Sequence, residues 1–132
     1  MPAAQILLVE DERIIARDLS IRLRRLGHTI TGIVPSGAAA LAHVTTHWPQ
    51  LIFMDITLEG PLDGIETAER ILALYAVPII YVTAHADAAT RQRAWQTGPH
   101  GYLIKPFSDR ELESSLGSVL RASQEQPRPT GG

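Results

Sequence analysis

The stretch that most limits the fold is Leu51-Ile52-Phe53-Met54-Asp55, four apolar side chains ending in a carboxylate. Pro49-Gln50 opens it and the acid closes it, so it reads as a short strand covered on both faces. Such a strand lies inside a sheet that has helices above and below it. A carboxylate buried in that core would be costly without partners. Asp55 therefore belongs just past the strand, at its carboxyl end, where open parallel sheets bind ligands.

The other segments repeat this plan. Gln5-Ile6-Leu7-Leu8-Val9 reads as a first buried strand, stopped by Glu10-Asp11-Glu12. Ile15, Leu19, Leu23 and Leu26 then recur at helical spacing, and Gly27 ends that helix. His28 to Val34 is rich in β-branched residues and reads as strand two. Pro35-Ser36-Gly37 turns into a helix over Ala38 to His47, ended by Trp48-Pro49. After Asp55, Gly60-Pro61 marks a loop. Asp63 and Glu66 form a capping box for a third helix to about Tyr75. Val77 to Val82 is strand four, with Thr83 at its end. Asp87 caps a fourth helix through Thr97, and Gly101 to Ile104 is strand five, followed by Lys105-Pro106. Ser108 and Glu111 open a last helix to about Ala122. Residues 1–123 are expected to form one domain, and residues 124–132, polar and rich in Pro and Gly, a tail or the start of a linker.

Strand and helix alternate with short connections, which argues for a doubly wound α/β fold with a five-stranded parallel sheet. The order 2-1-3-4-5 would set strands 1, 3, 4 and 5 side by side, with a switch point between strands 1 and 3. A chain of 132 residues suits one domain with a substantial core. The absence of cysteine excludes disulfide and thiolate chemistry. A net charge of −2 gives no footprint for nucleic acid and no reason to expect a membrane surface. No stretch reads as a signal peptide or a membrane span, and a soluble cytoplasmic domain is expected.

In a parallel sheet of that order the strand ends converge. Glu10 and Asp11 follow strand one, Asp55 follows strand three, Thr83 ends strand four and Lys105 follows strand five. Adjacent carboxylates repel one another unless a cation joins them, and an all-oxygen set suits a hard ion such as Mg²⁺. A carboxylate is already ionised at neutral pH, so Asp55 can attack phosphorus without a histidine base. Lys105 would neutralise charge on the transferring group, and the Thr83 hydroxyl would donate to a phosphoryl oxygen.

These residues in this order resemble the receiver domain of two-component response regulators, a flavodoxin-like fold. The resemblance runs from Gln5 to about Ala122. It is carried by Ile6-Leu7-Leu8-Val9-Glu10-Asp11-Glu12, Met54-Asp55-Ile56, Asp63-Gly64, Val82-Thr83-Ala84 and Gly101-Tyr102-Leu103-Ile104-Lys105-Pro106-Phe107. It implies that Asp55 is the phosphoacceptor for a sensor histidine kinase or phosphotransfer protein. It implies that Glu10, Asp11, Asp55 and the backbone carbonyl of Thr57 hold Mg²⁺. It assigns Lys105 and Thr83 to the phosphoryl oxygens, and it implies a cis peptide before Pro106. Tyr102 matches an aromatic that turns inward when Thr83 moves, altering the surface of helix four, strand five and helix five. That same surface is a candidate homodimer face. Thr57 and His85 occupy positions that tune phosphate lifetime in the family. The loop Glu59-Gly60-Pro61-Leu62 is longer than the common pattern, and Pro99 stands where Ala is usual. Both features resemble a subgroup that includes free-standing receivers and receivers attached to sensory kinases.

Two rival classes fit less well. An aspartate-nucleophile phosphohydrolase needs an acid two residues after the nucleophile, where this chain has Thr57. A flavin-mononucleotide redox domain needs a phosphate loop after strand one, where Glu10-Asp11-Glu12 would repel the phosphate. His43 and His47 have the i, i+4 spacing of metal ligands but lack a third partner, so a solvated helix face is expected. The same expectation covers Arg22, Arg24 and Arg25, whose charge is offset elsewhere. Asp11 has a second reading as a helix cap. Trp95, on the fourth helix, is expected to be half-buried or part of a partner surface. No DNA-binding helix pair is visible within the chain, so no direct nucleic-acid partner is expected.

Overall fold

The computed structural model describes residues 3–84 and 87–125. Its elements are β1 (Gln5–Val9), α1 (Arg13–Arg25), β2 (Thr29–Val34), α2 (Gly37–Thr46), β3 (Leu51–Asp55), α3 (Gly64–Leu74), β4 (Ile79–Thr83), α4 (Ala88–Gln96), β5 (Gly101–Ile104) and α5 (Asp109–Glu125). The five strands form one parallel sheet in the order β2-β1-β3-β4-β5, as expected. Every residue of β3 and β4 is buried, which is why both read as near-continuous apolar runs.

Alternation along each strand sends side chains to two separate cores. Leu7, Val9, Ile52, Met54, Ile79 and Tyr81 face α2, α3 and α4. Ile6, Leu8, Leu51, Phe53, Ile80 and Val82 face α1 and α5. Each fully buried Leu or Ile contributes about 1.5–3 kcal/mol relative to an exposed one.

The helix starts follow the capping signals. In α3, Asp63 accepts from the Glu66 N–H at 2.8 Å, and Glu66 returns the bond to the Asp63 N–H at 3.1 Å. Ser108 and Glu111 make the same reciprocal pair. Asp87 caps α4 by accepting from Thr90, and Ser36 caps α2 by accepting from Ala39. In α1 the cap position is Glu12, without a side-chain bond, so Asp11 is not the cap.

Several boundaries move. β2 begins at Thr29 because His28 is buried and gives its N–H to the Leu23 carbonyl of α1 at 3.1 Å, while its Nδ1 accepts the Ala4 N–H at 3.0 Å. β4 begins at Ile79, since Pro78 has no N–H for the ladder. α5 runs to Glu125, past the expected end near Ala122. Residues 126–132, the greater part of the expected tail, lie outside the described residues. The loop after Asp55 is anchored: Glu59 pairs with Ser36 in an isolated parallel bridge, which joins the β3–α3 loop to the β2–α2 junction.

Candidate functional site

Register brings the acids together. Val9 pairs with Met54, so the chain ends of β1 and β3 leave the sheet side by side. Asp55 is the last residue of β3 rather than the first beyond it, and both Asp55 and Glu10 are buried. Thr83 ends β4 opposite Ile104, and its carbonyl accepts the Lys105 N–H at 2.8 Å. The Lys105 side chain thereby rises from β5 toward the acids.

One ammonium joins the two buried carboxylates. Lys105 Nζ donates to Glu10 Oε1 at 2.5 Å and to Asp55 Oδ2 at 3.1 Å. The second oxygen of each acid takes a backbone donor: Thr57 N–H reaches Asp55 Oδ1 at 3.1 Å, and Glu12 N–H reaches Glu10 Oε2 at 3.2 Å. Gly64 closes the floor. Its N–H donates to the Ile56 carbonyl at 2.7 Å, and a Cβ there would overlap the Asp55 carbonyl oxygen. The peptide before Pro106 is cis.

The charge balance at this edge is negative. Carboxylate oxygens of Glu10, Asp11, Glu12 and Asp55 all lie within 4.8 Å of one another. Burial pushes the Glu10 carboxyl above its ordinary value, the neighbouring Asp55 adds to this, and the bonds from Lys105 and the Glu12 N–H only partly offset it. Burial works against the Lys105 ammonium, yet Glu10 and Asp55 more than compensate and hold its pKa up. A second cation would relieve the remaining repulsion. The donors are all hard oxygens, which fits Mg²⁺ and not a softer metal. A cleft of about 140 Å³ lined by Asp11, Glu12, Asp55, Thr57, Ala84 and Lys105 opens beside Asp55.

The sequence-derived set of Glu10, Asp11, Asp55, Thr83 and Lys105 thus meets at one sheet edge. Thr57 is exposed at the rim, and Thr83 is wholly buried. His85 lies outside the described residues. Tyr102 is half-buried on β5, its ring 6.4 Å from Trp95 and 6.3 Å from Tyr81, with the Arg91 guanidinium 5.3 Å from its centre. Trp95 is half-exposed and stacks on Tyr102.

Two solvated-face expectations are corrected. His43 is half-buried: Gly32 leaves the space its ring fills, and its Nε2 lies 3.3 Å from Thr31 Oγ1 while the ring stacks on His47. Arg22 is half-buried where Arg24 and Arg25 are exposed; it bonds to Asp109 and to the Phe107 carbonyl. The fourth acid, Glu12, was visible as part of the acidic run but not singled out. The close approach at Gly64 has no local signal beyond its place after a capping Asp.

The sequence fits the response regulator receiver domain over residues 6–117, and the chain belongs to that family. It is 37% identical over 119 residues to a probable transcriptional regulator, ycf27, of Cyanidium caldarium, covering 90% of this chain and 47% of that protein. It is 35% identical over 108 residues to the transcriptional regulatory protein PdtaR of Mycobacterium tuberculosis, covering 82% of this chain and 52% of that one. The chain thus spans about half the length of these relatives. Among solved structures, the signal receiver domain of a modulated diguanylate cyclase from Desulfovibrio desulfuricans superposes with a TM-score of 0.86 at 36% identity, over 95% of this chain and all of that one (100%).

Proposed function

We propose that this chain is a phosphoacceptor switch in a two-component relay, with Asp55 taking the phosphoryl group. The observation that supports it is the placement of Asp55 beside Glu10 and Lys105, at the mouth of an acidic cleft on the carboxyl edge of the sheet. In the transfer, an Asp55 carboxylate oxygen attacks phosphorus. An O–P bond forms, the P–N bond of a donor phosphohistidine breaks, and the imidazole leaves with the electron pair. The donor is a sensor histidine kinase or a phosphotransfer protein. Glu10, Asp11, Asp55 and the Thr57 carbonyl would hold Mg²⁺, which when bound supplies positive charge to the transferring oxygens. Lys105 supplies a second cation there.

The product adds about −1.5 to −2 charges where Asp55 stood. Lys105 and the Thr83 hydroxyl are drawn toward it. Movement of Thr83 vacates space next to β5 that Tyr102 fills, changing the surface of α4, β5 and α5. This is a two-state equilibrium biased by contacts made in one state only. Moving it from mostly off to mostly on needs about 5 kcal/mol of differential binding. The altered surface would signal to a protein partner or to a second copy of the chain, in the cytoplasm, with residues 1–123 as the switching domain.

The test is labelling by acetyl phosphate in Mg²⁺. Wild type takes one phosphoryl group that neutral hydroxylamine and base remove, and Asp55→Asn takes none. A persistent label on that variant would refute the assignment. Size measurement with and without beryllofluoride plus Mg²⁺ then reports whether the switched surface assembles.

A further inference from the structure

Lys105 is followed by a short joint, Pro106-Phe107-Ser108, before α5 begins at Asp109. Pro106, Ser108 and Asp109 are exposed, and Phe107 is the one member of the joint packed on the α1/α5 core. Little apolar contact therefore fixes the path of the chain just after the ammonium-bearing residue.

Besides the Ser108–Glu111 capping pair, the path is held by Arg22, from the later turns of α1. Its Nη2 donates to the Phe107 carbonyl at 3.0 Å, and its Nε donates to Asp109 Oδ1 at 2.7 Å. Its guanidinium lies 4.7 Å over the centre of the Phe107 ring, and Nη1 is 3.6 Å from Asp18. The side chain is only 18% exposed. A rigid planar fork making charge-assisted bonds to the middle of the joint and to the helix start just beyond it restrains the chain in a way a single flexible ammonium does not.

The helix that carries this fork starts at the acids. Glu12, at the cap position of α1, follows directly on Glu10 and Asp11. One rigid element thus links the acidic cluster to the exit of the strand that delivers Lys105.

We propose that Arg22 is a positioning residue for Lys105. By tying Phe107 and Asp109 to α1, it holds the ammonium in line with Asp55 as charge develops on the transferring group. This inference rests on the phosphoacceptor reading.

The test uses the full chain and the variants Arg22→Gln, Arg22→Lys and Asp109→Asn. Leu116→Ala serves as a control that weakens the same core away from the joint. Initial rates of Asp55 labelling by acetyl phosphate are measured where circular dichroism shows each variant folded, and half-saturating Mg²⁺ is measured by NMR titration. Arg22→Gln lowers the labelling rate about ten- to a hundredfold with half-saturating Mg²⁺ unchanged, the scale expected for small misplacement of a reacting group. Arg22→Lys, which keeps the charge without the fork, stays close to Arg22→Gln, and Asp109→Asn falls between them and wild type. Leu116→Ala keeps the wild-type rate. In the same NMR spectra, the Lys105 side-chain resonance shifts in Arg22→Gln and not in Leu116→Ala. A folded Arg22→Gln with the wild-type rate, or with unmoved Lys105 resonances, would overturn the proposal. A wild-type chain that takes no label would overturn the phosphoacceptor reading instead, and the Lys105 resonances would still decide whether Arg22 positions that side chain.

Discussion

Lys105 is the single cation shared by two buried acids among the described residues, and removing it separates binding from signalling. Lys105→Ala leaves Glu10 and Asp55 without their common donor, while every oxygen proposed to hold Mg²⁺ remains. The expected outcome is that Lys105→Ala still binds Mg²⁺ but does not couple a phosphoryl group to the surface change. Wild-type chemical-shift changes on α4, β5 and α5 after phosphorylation of the variant would count against this. Residues of this kind were legible in the sequence because each one closes an apolar run. Asp55 ends Leu51–Met54, Thr83 ends Ile79–Val82, and Lys105 follows Gly101–Ile104. Arg22 and Gly64 were not legible, because their roles arise across the fold. The bond from Arg22 to Asp109 spans 87 positions in the chain, and no spacing rule reaches that far.

At the scale of elements, the turn chemistry governs where helices begin. Asp63 does two jobs: it caps α3 and it pairs with Arg93 of α4 at 3.1 Å. Asp63→Ala should cost about 1 kcal/mol, within the usual 0.5–2 for loss of a cap, measured by urea denaturation. The Arg93 contact adds little, since that side chain is 49% exposed. Arg93→Ala on its own should therefore stay within a few tenths of a kcal/mol of wild type. Capping boxes, the apolar runs and the Gly and Pro stops made all ten elements readable. The start of β4 moved for a local reason, the missing N–H of Pro78, and that of β2 for a tertiary one, a buried histidine bonded to Ala4. The irregular pairing between Ile6 and Leu7 is of the same kind. It leaves Thr31 over, and the hydroxyl turns back to the Ile6 carbonyl at 3.3 Å. Nothing in the alternation of β2 announces that extra residue.

For the molecule as a whole, strand order was the least local property to read. Alternation implies parallel strands; only the rule for doubly wound sheets and the family resemblance supplied the order 2-1-3-4-5. Stability against pH is another whole-molecule property, and buried His28 shapes it. Its Nδ1 is bonded to Ala4 N–H, while Nε2 has no hydrogen-bond partner among the described residues. Burial holds its pKa below the ordinary 6.5. The unfolded chain therefore binds a proton first as the pH falls. The contribution of His28 should be full above about pH 7, drop as the pH passes below 6.5, and level off once the folded form is also protonated. His28→Asn, which keeps an acceptor for Ala4, should flatten that slope in denaturation curves between about pH 7 and pH 5. His43, also held low by burial and by His47, accounts for part of what remains.

The division of the core into two clusters also decides what an optical experiment sees. Trp48 packs on Tyr75 and Trp95 on Tyr102, both on the side covered by α2, α3 and α4. The side covered by α1 and α5 carries no indole, so intrinsic fluorescence is blind to it, while far-ultraviolet dichroism registers every helix. Leu116→Ala empties space on the dark side at a cost of about 2–5 kcal/mol. If the sheet transmits that loss, the emission midpoint moves with the dichroism midpoint, and an emission curve left behind would reveal two halves that melt apart.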